Sequence, residues 1–289
     1  MNVKPTRLKV TPRPTPLGVG ASKGGSGGIK ETFESLAKKG EKALVAFITA
    51  GDPDMDSTGN FISAIERGGA DIIELGIPFS DPMADGPTIQ MSSERALKNG
   101  ATMDKVFELM EKTRKTSKIP MVLFGYYNPV FVYGVKRFAK RASGAGCDGV
   151  LIVDLPPEES DELKKELDAV GIPLIYLLTP TSGEDRMRVV AKVAKGFIYY
   201  VSVAGVTGAR RSLSNKIAKS VKKIRKFTDV PIGVGFGIST PEQAKEVSVF
   251  SDAVIVGSAI INLISSAKGS AEAAAKVEEF VRGLKQAIK

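Results

Sequence analysis

The sequence predicts an α/β protein folded as a single (β/α)8 TIM barrel, with an extra N-terminal helix and a disordered leader in front of it. Three observations carry this. From residue 30 onward, short β-rich runs alternate with helical patterns, which argues for a parallel sheet. Eight such runs fall within about 260 residues, the count and size of that barrel. The first run leads into Ala50-Gly51-Asp52-Pro53, which is not the glycine fingerprint of a doubly wound open sheet, the structural competitor.

The elements follow in order. Residues 1–28 form a proline-rich, basic segment that ends in GGSGG, so it resembles a flexible fused linker or a disordered tail. A transit peptide is the lesser reading, because the segment is basic and acid-free but poor in serine. Ile29–Lys39 opens the barrel domain, residues 29–289, as a helix. The strand runs are Ala43–Thr49, Asp71–Ile77, Pro120–Tyr126, Gly149–Leu155, Pro173–Leu178, Phe197–Val203, Pro231–Gly237 and Ala253–Val256. Between them lie helical patterns at Ser57–Arg67, Met91–Asn99, Met103–Lys115, Val135–Ser143, Glu158–Val170, Gly183–Ala194, Asn215–Phe227 and Pro241–Val247, and Ala271–Ile288 closes the chain.

Composition narrows the chemistry. With no histidine, zinc–histidine sites and Ser-His-Asp or Cys-His catalysis are excluded, and acid–base work falls to Glu, Asp, Lys or Tyr. The single cysteine, Cys147, permits no intrachain disulfide and fits a reducing, cytoplasmic setting. No apolar stretch reaches transmembrane length. Of the net charge of +9, five units sit in the leader on Lys4, Arg7, Lys9, Arg13 and Lys23. The other basic cluster, KIAKSVKKIRK, places Ile217, Val221 and Ile224 at helical spacing with no interleaved aromatics. It reads as a solvated helix face rather than a nucleic-acid footprint.

The stretch IELGIPFSDPMADGPTIQ (73–90) sets a problem. Side chains alternate along a strand, so Ile72, Glu74 and Gly76 share one face while Ile73, Leu75 and Ile77 share the other. The all-apolar face should meet the helices. Glu74 then points into the barrel near its C-terminal mouth, where a carboxylate is costly unless it is paired or protonated. A stiff loop with Asp81, Asp85 and three prolines follows.

Together with AFITAGDP (46–53), YYVSVAGVTGAR (199–210), GVGFGIS (233–239) and VIVGSAI (254–260), this stretch resembles the α subunits of tryptophan synthase, over residues 30–289. The resemblance implies retro-aldol cleavage of indole-3-glycerol phosphate to indole and glyceraldehyde 3-phosphate. It makes Glu74 the proton-transfer residue at indole C3 and Asp85 the anion facing the indole nitrogen, each with a bland alternative as a structural glutamate or a turn aspartate. Phe47, Thr49, Leu123, Tyr126 and Leu155 are expected to line an apolar slot for indole. Tyr199 stands near the substrate or is a core tyrosine. By the same resemblance, Thr207 is expected to touch the catalytic aspartate from a lid. Gly208, Gly235, Gly237, Gly257 and Ser258 offer backbone donors and a helix N-terminus to the phosphate; tight barrel packing is the plainer account of these glycines.

The resemblance further implies a β-subunit partner in an αββα heterotetramer, with pyridoxal phosphate in that partner and no cofactor in this chain. Three rivals stand beside it. Indole-glycerol-phosphate synthase would want a catalytic lysine at a strand end, which is not found. The others are a stand-alone indole-releasing lyase and a weakly catalytic regulatory subunit.

Overall fold

In the computed structural model, which describes residues 28–201, 210–235 and 237–289, eight parallel strands close into a barrel in sequence order. They are β1 (Ala43–Thr49), β2 (Ile72–Gly76), β3 (Met121–Gly125), β4 (Gly149–Ile152), β5 (Leu174–Leu178), β6 (Ile198–Val201), β7 (Ile232–Gly235) and β8 (Ala253–Val256). Each lies inside the run expected for it. The leader residues 1–27, Thr207 and Gly208 lie outside the described residues.

Twelve α-helices are described: α1 (Ile29–Lys39), α2 (Met55–Gly68), α3 (Pro87–Lys98), α4 (Met103–Arg114), α5 (Tyr127–Tyr133), α6 (Val135–Gly144), α7 (Asp161–Ala169), α8 (Glu184–Val193), α9 (Arg210–Ile224), α10 (Pro241–Ser248), α11 (Ser258–Ser266) and α12 (Ser270–Ala287). Helix α3 starts four residues earlier than its apolar pattern, because Pro87 suits the first helical position, where no N–H is needed. Helix α5 was not anticipated. Its sequence YNPVFVY is aromatic and β-branched, but Pro129 falls among the first turn's orphan donors and so breaks no bond. The N–H of Tyr127 is taken by the Asp154 carboxylate at 2.8 Å, a partner supplied by the loop after β4.

Two apolar layers follow from strand alternation. Outside, Leu44, Ala46, Ile48, Ile73, Leu75 and Leu123 pack against the helices, as the apolar face of β2 predicted. Inside, Ala43, Val45, Ile72, Val122, Leu151, Ile175, Phe197, Ala253 and Ile255 fill the barrel. Helix α1 closes its base with Ile29, Phe33 and Leu36.

Carboxylates pin the N-terminal strand ends. Asp71 accepts the N–H of Leu44 at 2.7 Å and the buried Lys285 ammonium at 2.8 Å. Asp148 accepts the N–H of Met121 at 2.9 Å and pairs with Arg114. Asp252 accepts the N–H of Ile232 at 2.8 Å and Arg225 at 2.7 Å. The base of the barrel is thereby tied shut, and the chemistry is left to the other end.

One tie acts at the mouth. Asp52, 2% exposed, takes the Ser92 hydroxyl at 2.6 Å and both Nε and Nη2 of Arg95 at 2.8 and 2.7 Å. This fixes α3 to the end of β1, and α3 carries the loop that bears Asp85. Asp52→Ala leaves the buried Ser92 hydroxyl unpaired and frees Arg95. The expected cost is about 2–3 kcal/mol, seen as a fall of roughly 5–10 °C in the thermal midpoint. An unchanged midpoint would show that the tie adds nothing to stability.

Candidate active site

The C-terminal mouth of the barrel holds a cavity of about 720 Å³ whose wall includes Phe47, Glu74, Asp85, Phe124, Tyr199, Gly235, Gly237, Gly257 and Ser258. A hollow of about 790 Å³ at the opposite end, lined by α1 and the starts of the strands, contains none of these residues. The mouth is the site, because there the buried Glu74, Asp85, an aromatic wall and the start of α11 converge at the C-terminal ends of the strands.

Glu74 is fully buried, and neither carboxylate oxygen meets a hydrogen-bond partner among the described residues. Burial without a compensating partner pushes its pKa up to about 8. It is therefore held protonated at neutral pH, able to donate and then recover a proton. The half-buried Asp85 carboxyl is also raised by burial, but a hydrogen bond from Tyr126 opposes the rise. Both carboxylates act on Tyr199, whose phenol is pushed well above its ordinary value by burial first and by Glu74 and Asp85 next. Two carboxyl groups of one cavity thus sit in different environments, the arrangement that separates acid and base roles.

Missing side chains make room for rings. A Cβ on Gly76 would lie 2.7 Å from Cζ of Phe47, and one on Gly257 would lie 3.2 Å from its Cδ1. The Phe47 ring therefore spans the gap between β8 and β2, above Glu74. It meets Phe124 edge-on at 5.1 Å between centroids, and Phe124 stands 6.4 Å from Tyr199. Gly235 serves the same end. A Cβ there would stand 2.5 Å from the Tyr199 hydroxyl, so its bareness accommodates the tyrosine.

One side of the wall is a helix terminus. Gly257 precedes α11, and its carbonyl accepts the N–H groups of Ile260 and Ile261 at 2.8 and 3.1 Å. Ser258 and Ala259 lie on the cavity wall at the start of that helix, where N–H groups have no intrahelical partner. Gly237 has φ +56°, the left-handed region that a β-branched residue resists.

Four expected slot residues are not on this wall. Leu123 packs outward in the helix-facing layer; the register Gly76↔Phe124 puts Phe124 inside instead. Leu155 also joins the outer layer, because β4 ends at Ile152 and the chain turns before reaching it. Tyr126 is buried with its ring on Phe79 and its hydroxyl occupied by the loop. Thr49 keeps inward parity, but the Phe47 ring covers Gly76 opposite it and takes its place on the wall. Its hydroxyl is buried without a partner among the described residues. Val153, Leu177 and Ile238, which the sequence reading missed, are also part of the apolar lining, as are Ile89, Val201 and Ile255. Val153 and Leu177 follow from strand parity once the barrel register is known.

The family model for the tryptophan synthase alpha chain matches residues 33–289. This chain belongs to the tryptophan synthase alpha chain family. It is 54% identical over 261 residues to a tryptophan synthase alpha chain of Geotalea uraniireducens, covering 90% of this chain and 97% of that one. The tryptophan synthase subunit alpha of Legionella pneumophila superposes with a TM-score of 0.82 at 40% identity, covering 90% and 97% of the two chains. A chain of the tryptophan synthase complex from Pyrococcus furiosus gives a TM-score of 0.77 at 36% identity, covering 84% and 98%. As a tryptophan synthase alpha chain the protein is a lyase that cleaves indole-3-glycerol phosphate in tryptophan biosynthesis.

Proposed function

We propose that Glu74 and Asp85 divide the acid–base work of this cleavage. The observation that carries the proposal is the buried, unpartnered Glu74 on the wall of an apolar cavity. Its proton goes to indole C3, which leaves the ring able to accept an electron pair. The Glu74 carboxylate so formed takes the proton of the side-chain hydroxyl beside the breaking bond, the C–C bond electrons flow into the ring, and the carbonyl of glyceraldehyde 3-phosphate forms. Asp85 accepts a hydrogen bond from the indole N–H, whose acidity rises as positive charge develops. The Phe47 and Phe124 rings hold the indole plane. Ser258, Gly257 and Gly237 face the phosphate at the α11 N-terminus, where the dipole and free N–H groups favour an anion. Tyr199 borders the site as a neutral phenol.

The partner in this reading is a tryptophan synthase β subunit, which carries pyridoxal phosphate and receives the indole. Met83 on the loop after β2, 80% exposed, and Phe131 and Val132 on α5, 59% and 76% exposed, form an apolar rim beside the mouth that suits such a subunit. Among the described residues, no helix is long and apolar enough to cross a membrane. The cytoplasm suits the chain, since the lone buried thiol of Cys147 stays reduced there.

The test is indole release from indole-3-glycerol phosphate by the chain alone and with a β subunit, for the full chain and for a chain lacking residues 1–27. Cleavage in both forms, enhanced by the β subunit, is expected, with the rate and melting temperature indifferent to the leader. Binding without cleavage under every condition would favour a purely regulatory subunit. A marked loss on removing the leader would give that segment a place on the barrel.

A further inference from the structure

We propose that Tyr126 is a positioning residue for Asp85, its hydroxyl clamping the carboxylate and the backbone beside it at one fixed point of the mouth. The proposal rests on the reading of Asp85 as the acceptor for the indole N–H. Tyr126 is only 3% exposed and is not among the residues of the cavity wall. Its contacts are with the loop that follows β2. The ring packs on Phe79 with centroids 5.4 Å apart. The hydroxyl oxygen accepts the N–H of Ala84 at 3.0 Å, and the phenol favours the ionised form of the neighbouring Asp85 carboxyl. One phenol thus holds a backbone donor and acts on the carboxyl of the very next residue.

The clamp is itself anchored. Tyr126 is the residue before α5, and the next N–H, that of Tyr127, is held by Asp154. On the other side of Asp85, the Gln90 amide donates to its carbonyl at 2.7 Å from α3. The loop between Pro78 and Pro87 is therefore tied at both ends of its working residue. A tyrosine suits this duty better than a lysine or arginine would. It supplies one donor without a charge that would neutralise the carboxylate, and it leaves the second carboxylate oxygen for the indole N–H.

The surroundings give the clamp a chemical effect. Tyr126 after β3 and Tyr199 on β6 face Asp85, Glu74 on β2 shares its cavity wall, and the Asp154 charge acts on Tyr126 from the loop after β4. Glu74 and Tyr199 bring no positive charge, and burial disfavours the Asp85 anion. The phenol proton is the group that opposes this. Burial, Asp85 and Asp154 together push the phenol above its ordinary value, so it keeps its proton throughout the working range.

The experiment is the pH dependence of kcat/KM for indole-3-glycerol phosphate from pH 5 to 9, for the wild type, Tyr126→Phe, Asp85→Asn and the double variant. Tyr126→Phe keeps the ring against Phe79 and removes only the hydroxyl. Its kcat/KM should fall about 10- to 100-fold, the range for losing a hydrogen bond to a charged group. The acid limb should move to higher pH by about one unit, because a carboxylate that loses a donor is harder to ionise. A carboxyl NMR titration of Asp85 should shift in the same direction. In the Asp85→Asn background the tyrosine change should have almost no further effect.

A Tyr126→Phe variant with the rate and acid limb of the wild type, beside an impaired Asp85→Asn, overturns the tyrosine's role alone. Equal losses from Tyr126→Phe in both backgrounds would mean general damage, which also overturns it. Wild-type activity in Asp85→Asn removes the assignment of Asp85, and this inference falls with it.

Discussion

Glu74→Gln cuts indole release by ~10²–10⁴-fold, the range for removing a general acid–base group, while the folded protein gains stability at neutral and alkaline pH. The two effects have one cause. The cavity keeps Glu74 away from water and gives its oxygens no partner among the described residues, so the neutral acid is the favoured folded form and the pKa rises to about 8. In the unfolded chain the same group ionises near its ordinary value of 4.5. The folded state therefore holds a proton that the unfolded state releases. The stability associated with that proton is fully present below pH ~4.5 and is lost as pH rises towards ~8.

Glutamine cannot ionise in either state, so the variant escapes the loss. Its melting temperature should match the wild type near pH 4.5 and exceed it by at least about 4 °C at pH 8, taking roughly 2–4 °C per kcal/mol for a protein of this size. Circular dichroism melts at the two pH values, with an indole assay on the same samples, read both halves. Near-wild-type activity in a folded Gln variant would sink the catalytic assignment. A melting temperature that tracks the wild type at every pH would show that Glu74 is ionised or solvated after all.

Ser258→Asp raises KM for indole-3-glycerol phosphate by about 100-fold, since each tenfold step needs only ~1.4 kcal/mol and two anions would share one end of the cavity. Aspartate is well tolerated at a helix N-terminus, so α11 should keep its fold. Its charge would occupy the field that the helix offers to the phosphate. Binding of indole, which carries no phosphate, should change little, and this comparison separates a lost anion site from a damaged barrel. Valine at Gly237 is a poorer probe, because φ there is +56° and the strain of a branched side chain would confuse the result. Equal effects of Ser258→Asp on indole and on indole-3-glycerol phosphate would place the phosphate elsewhere.

Much of the architecture was legible in the residues because it is written in local rules. Alternating β-rich runs and helical patterns, eight times over, leave few topologies besides the closed barrel. Glu74 was legible as an anomaly: an ionisable group within an apolar strand conflicts with burial, and such conflicts mark sites. The inward parity of Phe47 and Tyr199 followed from strand runs whose neighbours left little choice.

What stayed hidden depends on contacts between segments far apart in the chain. MVLFG is apolar on both faces, so nothing local distinguishes Leu123 from Phe124. The pairing Gly76↔Phe124 decides which one enters the cavity. YNPVFVY looks like a strand by composition, and it becomes α5 where Asp154, from another loop, takes its first N–H. Nothing local to Gly235 tells that the Tyr199 hydroxyl stands where its side chain would be. Tyr126 reads as an apolar wall, yet its phenol is drawn to Ala84 and Asp85, 42 and 41 positions back along the chain. Periodicity tells a side chain which face of its own element it occupies. Only strand register and loop packing tell it what stands opposite, because those are set by hydrogen bonds and excluded volume between elements that the sequence keeps far apart.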